Sequence, residues 1–225
     1  MFQEGVLNLF TDGSCDNKNK TMPASCACLA VIYDPVKQVP VIMDQKSYVI
    51  ENATSNIAEL SAIDIGVMLA QDNQMNFNRI NLFSDSRISV LGLRDWIWDW
   101  VRRSKYNETK VLISTSGEPV KNQILIKNIV AKINTITQCI FCIYHQKGHC
   151  MNDLERGREQ FYLSNGIYLD IEDVKLITYY NDLTDQFARQ TVAQFRQAQR
   201  YTPVSYTIGD INMKQYYQVM KRRNF

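Results

Sequence analysis

Four acids in this 225-residue chain stand where backbone segments start or stop, and their placement gives them chemistry. Asp12 ends the run Leu7-Asn8-Leu9-Phe10-Thr11, and Asp85 ends Ile80-Asn81-Leu82-Phe83-Ser84. Each run reads as a buried strand that delivers one carboxylate to a sheet edge. Glu59 lies in the first turns of a helical pattern, and Asp185 in the first turn of another. Hard oxygen donors from separated segments suit magnesium or manganese, and without a cation they would raise one another's pKa. Two such ions about 4 Å apart can activate a water and stabilise the leaving oxygen of a phosphodiester. The chemistry to which this set points is metal-assisted nucleotidyl hydrolysis.

Those acids need a scaffold, and the chain supplies one. Cys26 to Tyr33 and Val39 to Ile50 read as strands separated by the Asp34-Pro35 turn, so with the first run they predict a three-strand antiparallel meander. Asn52-Ala53-Thr54-Ser55-Asn56 supplies capping residues before a helix from Ile57 to Ala70, with Leu60, Ile63, Val67 and Ala70 on one face. Arg87 to Arg103 has helical spacing and carries Trp96, Trp98 and Trp100. Pro119 is expected at the first position of a helix reaching about Ile133, and Gln138 to Tyr144 as a buried strand. Asn165-Gly166 suggests a hairpin turn. Asn181 to Asp185 is expected to cap a helix running to about Gln199, and Met213 to Arg223 reads as a further helical piece.

Composition sets the limits. A hydrophobic content of 45% gives core enough for one domain with an appendage, so disorder is not the default reading. A net charge of +2 is too small to mark a nucleic-acid binder by bulk charge, so any such footprint must be local. Arg102, Arg103 and Lys105, interleaved with tryptophans, offer one. No apolar run is long enough to span a bilayer, and the six cysteines lie mostly in apolar runs without a leading signal segment. These features predict reduced thiols, a cytoplasmic location and no membrane partner. Cys139, Cys142, His145 and His149 are spaced like zinc ligands, but residues three apart on a strand point to opposite faces, which argues against a shared ion.

Several short blocks together resemble bacterial-type (type 1) ribonuclease H. They are Phe10-Thr11-Asp12-Gly13-Ser14-Cys15, Thr54-Ser55-Asn56-Ile57-Ala58-Glu59-Leu60, Ser84-Asp85-Ser86, Trp96-Ile97-Trp98-Asp99-Trp100, Pro119-Val120-Lys121-Asn122, Lys147-Gly148-His149 and Asn181-Asp182-Leu183-Thr184-Asp185 with Phe187-Ala188-Arg189. The resemblance implies an α/β fold with a five-stranded mixed sheet in the order 3-2-1-4-5 flanked by helices. It implies four metal-binding carboxylates, Asp12, Glu59, Asp85 and Asp185, holding two Mg2+ ions (or Mn2+), with His149 assisting proton transfer or product departure. Cys15, Ser55 and Asn56 match positions that touch the minor groove of a hybrid, and Thr54 and Asn122 those that grip a DNA phosphate. Trp98, Arg102, Arg103 and Lys105 resemble the basic protrusion of the family.

The implied reaction is endonucleolytic cleavage of the RNA strand of an RNA/DNA hybrid, leaving 5′-phosphate and 3′-hydroxyl ends. Ser55 and Arg87 depart from the family's usual asparagine and glutamine. About thirty residues separate His149 from Asp185 where the family has about ten, which makes Asp153 a rival fourth ligand. The expected domain spans residues 1–200 with an insert at about 150–180, followed by an extension at 201–225. The insert and the tail are candidate surfaces for a protein partner or self-association. A non-catalytic nucleic-acid-binding or assembly module and a DNA-directed nuclease of the same superfold stay open as alternatives.

Overall fold

A computed structural model describes residues 1–15, 23–104, 111–200 and Tyr217–Gln218. Lys105 and most of the C-terminal extension lie outside the described residues; of the polar run Gly13 to Lys20, whose composition predicts a loop, residues 16–20 also lie outside them, while Gly13 and Ser14 continue a strand instead. The sheet is built from β1 (Val6–Ser14), β2 (Ala24–Asp34), β3 (Val39–Ile50), β4 (Arg79–Ser84) and β5 (Ile140–His145). Its order is β5-β4-β1-β2-β3, which is the expected five-stranded arrangement. The first three strands form the antiparallel meander, while β1 pairs parallel with β4 and β4 parallel with β5. A two-residue strand, β6 (Tyr217–Gln218), adds to the outer edge of β3 opposite Tyr48 and Val49. The helical reading of Met213 to Arg223 is therefore incorrect at these two residues: a tail docked on an open sheet edge is extended to satisfy that edge's hydrogen bonds.

Alternation along the central strands sorts side chains onto two layers. Leu7, Leu9, Ile80 and Leu82 join a core made with α1 (Ser55–Asn73), α4 (Gln123–Ile133) and the segment around Leu93 and Ile97. Phe10 and Phe83 face the other side and join Tyr144, Phe161, Val174, Ile177 and Tyr180. Those partners come from α5 (Leu154–Asn165) and α6 (Ile171–Arg200), apart from Tyr144 of β5. Phe10 and Phe83 are register partners in the parallel pair, with ring centroids 5.0 Å apart.

Four further sequence expectations require correction. Gly166 does not turn a hairpin; it takes the left-handed conformation (φ +69°) that closes the C-terminus of α5, a role glycine fills after an asparagine as readily as it fills a turn. The helix carrying Asp185 does not begin at Asn181. It begins at Ile171, where the Asp170 carboxylate accepts from the Asp173 N–H at 2.7 Å, and the polar residues Thr178, Asn181, Thr184 and Thr191 fall on its buried stripe. Pro119 lies before its helix, bridged to Ile113, and α4 starts at Gln123 after a left-handed Asn122. The helix from Arg87 is not uniform: α2 (Arg87–Leu91) and α3 (Ile97–Ser104) are joined through one π-helical turn, Gly92–Trp96.

Two contacts bring the acid-bearing elements together. Thr54 caps α1, its hydroxyl accepting from the Ile57 N–H at 3.4 Å. Gly13 then lets β1 touch that helix, because a Cβ there would lie 2.4 Å from the Ala58 carbonyl carbon and the Glu59 nitrogen. Since backbone cannot yield as a side-chain tip can, Gly13→Ala should destabilise the protein by about 3 kcal/mol in urea unfolding. An unchanged unfolding midpoint would show that α1 and β1 tolerate separation.

Candidate metal centre

β4 ends at Ser84, in step with Thr11 of β1, and Asp85 follows at once; β1 does not stop at its acid but stays paired with β2 through Ser14, so Asp12 is a strand residue one position beyond the pairing with β4. Asp12 and Asp85 thus continue the rows of Phe10 and Phe83, facing α6. Glu59 reaches the same point from the first turns of α1, its carboxylate accepting from the Gly13 N–H at 3.2 Å. One oxygen from each of Asp12, Glu59 and Asp85 lies within 4.8 Å of the others.

Asp185 arrives from α6 and stands against Asp12, near enough to share a hydrogen bond when one of the pair is protonated. Its other side is held by Arg189, one turn on, at 2.7 Å. The helix itself is bolted across the sheet: Ser25 Oγ donates to the Ala188 carbonyl at 2.6 Å, Thr191 Oγ1 to Ser47 Oγ at 2.8 Å, and the Tyr180 hydroxyl to the Pro40 carbonyl at 3.1 Å. Asp153 is differently employed. It caps α5, accepting from the Arg156 N–H at 3.1 Å.

Burial and crowding act together on these acids. Burial, then the charges of Glu59, Asp85 and Asp185, push the Asp12 carboxyl up to about 9. Burial and the charge of Asp85 raise Glu59 to about 8, with the Gly13 N–H opposing. Asp85 is also raised by burial, against the pull of the Asn181 amide and His149. A site that cannot hold its own negative charge is one that a cation completes, and an all-carboxylate donor set of this size suits a hard divalent ion. The residues present therefore fit magnesium or manganese. Among the described residues the cysteines and histidines of the 139–150 stretch form no comparable cluster.

The loop after β5 closes over Asp85. A Cβ at Gly148 would lie 2.6 Å from Asp85 Oδ2, so glycine permits that approach. His149 comes next in a left-handed conformation (φ +56°), exposed, with Nδ1 3.1 Å from an Asp182 carboxylate oxygen. Two residues here were not singled out by role in the sequence: Asp182, which lies against His149, and Asn181, whose fully buried amide faces Asp85; neither contact is a hydrogen bond of standard geometry. Their signal was present in the block that ends at Asp185, one helical turn before that acid.

The expected substrate-contacting residues surround this edge unevenly. Cys15 is half-buried, its thiol donating to the Ala53 carbonyl at 3.3 Å beside the start of α1, where Thr54 and Asn56 are exposed and Ser55 is half-buried. Trp98, Arg102 and Arg103 are exposed on α3, while Trp100 packs against the core. Asn122 is half-buried at the start of α4.

The family model for RNase H matches residues 4–158. Among solved structures, the foamy viral protease-reverse transcriptase in complex with RNA/DNA hybrid is 16% identical, with a TM-score of 0.56 over 83% of this chain and 20% of that one. This chain therefore spans about a fifth of that protein's length. The RNase H domain of PFV, in solution, is 18% identical with a TM-score of 0.55, covering 86% of this chain and 96% of that one. Both likenesses show the fold. No curated protein sequence matches.

The raised acids make a stability prediction. A carboxyl whose folded pKa lies above its unfolded value favours folding fully below the unfolded pKa, near 4, and loses that contribution as pH rises toward the folded value. The metal-free protein should therefore melt at progressively lower temperature from about pH 4 to about pH 9, with Mg2+ restoring the loss most at the alkaline end. Asp12→Asn should stabilise the metal-free protein at pH 8 by at least about 1 kcal/mol. Calorimetry with and without chelator measures both, and a flat metal-free profile would contradict the crowding described.

Proposed function

From the premise that this chain belongs to the ribonuclease H family, we propose that it cuts the RNA strand of RNA/DNA hybrids by a two-metal-ion route, leaving 5′-phosphate and 3′-hydroxyl ends. The family is one of metal-dependent nucleases acting on such hybrids, so the chain is a ribonuclease H-type hydrolase. The observation that carries the finer reading is the convergence of Asp12, Glu59 and Asp85 within 4.8 Å, with Asp185 against Asp12.

In this reading Asp12, Glu59, Asp85 and Asp185 hold the cations, with Mg2+ the expected ion and Mn2+ a substitute. Divalent ions held by these four carboxylates would supply activation of a water and neutralisation of charge on the leaving oxygen. The chain's own groups do the remainder. The Gly13 N–H fixes the Glu59 carboxylate, and Arg189 holds Asp185 toward Asp12. His149, tethered to Asp182 beside Asp85, is suited to carry a proton to the departing strand end.

The groove-facing group, Cys15, Ser55 and Asn56, reads the hybrid. Thr54 and Asn122 grip a DNA phosphate. Trp98, Arg102 and Arg103, with Lys105 beyond the described residues, offer stacking and positive charge to the backbone. Contacts to the 2′-hydroxyl let such a surface prefer a hybrid over DNA duplex. The structure with RNA/DNA hybrid of the foamy viral protein, which shares this fold, supports the substrate class. We place the protein's work in the cytoplasm, and no helix among the described residues is long and apolar enough to cross a membrane.

A labelled RNA/DNA hybrid should be cut by the wild-type chain with Mg2+, and chelation should stop cutting. Asp12→Asn and Asp185→Asn should each lose at least about 100-fold in rate. Asp153→Asn, which keeps a capping side chain, should stay within about twofold of wild type. Intact hybrid in the presence of wild-type protein and either Mg2+ or Mn2+ would overturn the assignment, as would preferential cleavage of DNA.

A further inference from the structure

In the lengthened stretch between His149 and Asp185, the end of α5 is tied to β5 and to the turn before α3 chiefly through one amide, with Ser164 beside it. Asn165, the last residue of α5, lies along the outer edge of β5. Its Oδ1 accepts from the His145 N–H at 3.1 Å, and its Nδ2 donates to the His145 carbonyl at 2.7 Å, so the side chain imitates the peptide of a neighbouring strand. Nδ2 also donates to the Phe161 carbonyl at 2.9 Å, and Oδ1 also accepts from Arg94 Nη1 at 2.9 Å. A primary amide offers two donor hydrogens and two acceptor lone pairs, and here all four are used.

Arg94 is the link onward. Its Nη2 donates to the Ser164 carbonyl at 2.9 Å, so the guanidinium grips the end of α5 at two points. Arg94 itself sits in the π-helical turn that aims α3, and its backbone carbonyl accepts from Trp98 Nε1 at 3.2 Å. A π turn is rare, occurring mostly as a single turn within a helix and often at functional sites. A continuous set of hydrogen bonds therefore runs from His145, at the end of the strand beside β4, through Asn165 and Arg94 to exposed Trp98.

We propose that Asn165 and Arg94 are positioning residues that make α5 the brace of α3, fixing the Trp98, Arg102 and Arg103 surface at a set distance from the acids. The inference rests on the hybrid-nuclease reading, because that surface is assigned there as the grip on substrate. It gives the lengthened stretch a job in substrate binding.

The test is steady-state cleavage of an RNA/DNA hybrid by the full chain, with melting temperature followed in parallel, for wild type, Arg94→Ala, Arg94→Lys, Asn165→Ala and the double variant. KM should rise about fivefold or more in Arg94→Ala and in Asn165→Ala while kcat stays within about twofold, the pattern of lost binding common to ground and transition states. The double variant should be no worse than the worse single variant, because the two residues act as one unit. Arg94→Lys should recover part of the KM, since an ammonium retains a charged donor.

A KM that stays at the wild-type value while only the melting temperature falls would overturn the brace, as would additive effects. If Asn165→Ala does not fold, Arg94→Ala decides alone, because its loss leaves the other three Asn165 bonds in place. A wild-type chain that leaves hybrid intact would overturn the nuclease reading instead. Fluorescence anisotropy of hybrid binding then tests the brace, and equal affinity for wild type and Arg94→Ala would reject it.

Discussion

The parallel pairing of β1 with β4 is the constraint on which the rest depends. It is set by burial on both faces, with Leu7, Leu9, Ile80 and Leu82 on one side and the stacked rings of Phe10 and Phe83 on the other. A slip of one residue would turn each of these rows onto the wrong layer, so register is strongly fixed. Asp12 and Asp85 come next after the last paired residues, and their proximity results from the core beneath them. The favourable burial of these apolar rows compels an unfavourable meeting of two acids.

Everything added to that meeting either deepens the charge or manages it. Glu59 enters because Gly13 lets α1 approach β1 at backbone distance. Asp185 enters because α6 is pinned to β2 and β3 by hydroxyl contacts. The Gly13 N–H, the Asn181 amide, His149 and Arg189 stand around the acids as partial compensation. That compensation falls short of neutralising the site, as the elevated Asp12 and Glu59 show. The centre has the donor set of a candidate divalent-cation site.

The sheet order, the sequence blocks that supply the acids and the α1 cap were legible because strand periodicity, capping chemistry and family resemblance agree there. Legibility failed where one residue type serves two purposes. Asn165-Gly166 closes a helix, although the same dipeptide turns hairpins. Asn181 resembles a helix start because asparagine caps helices, yet it is a buried interior residue on a stripe whose polar members hide the helical period. Asp170, two positions before Glu172, is the actual cap. The brace between Asn165 and Arg94 joins residues 71 apart by side-chain hydrogen bonds, and no local pattern reports such a pairing.

α6 carries a last consequence. It is one uninterrupted helix of 30 residues from Ile171 to Arg200, so the stretch after His149 flows directly into the element that presents Asp185. Along a helix each added residue rotates the remainder by about 100° and advances it by about 1.5 Å. A single insertion between Tyr180 and Thr184 would set the Val174, Ile177 and Tyr180 face packed with Phe10 and Phe83 out of phase with the face that delivers the acid. Length variation in this protein can therefore accumulate before Asp170 and beyond the last contact with β2 and β3, while the span between them must keep its residue count. The helix works as a ruler with two fixed marks.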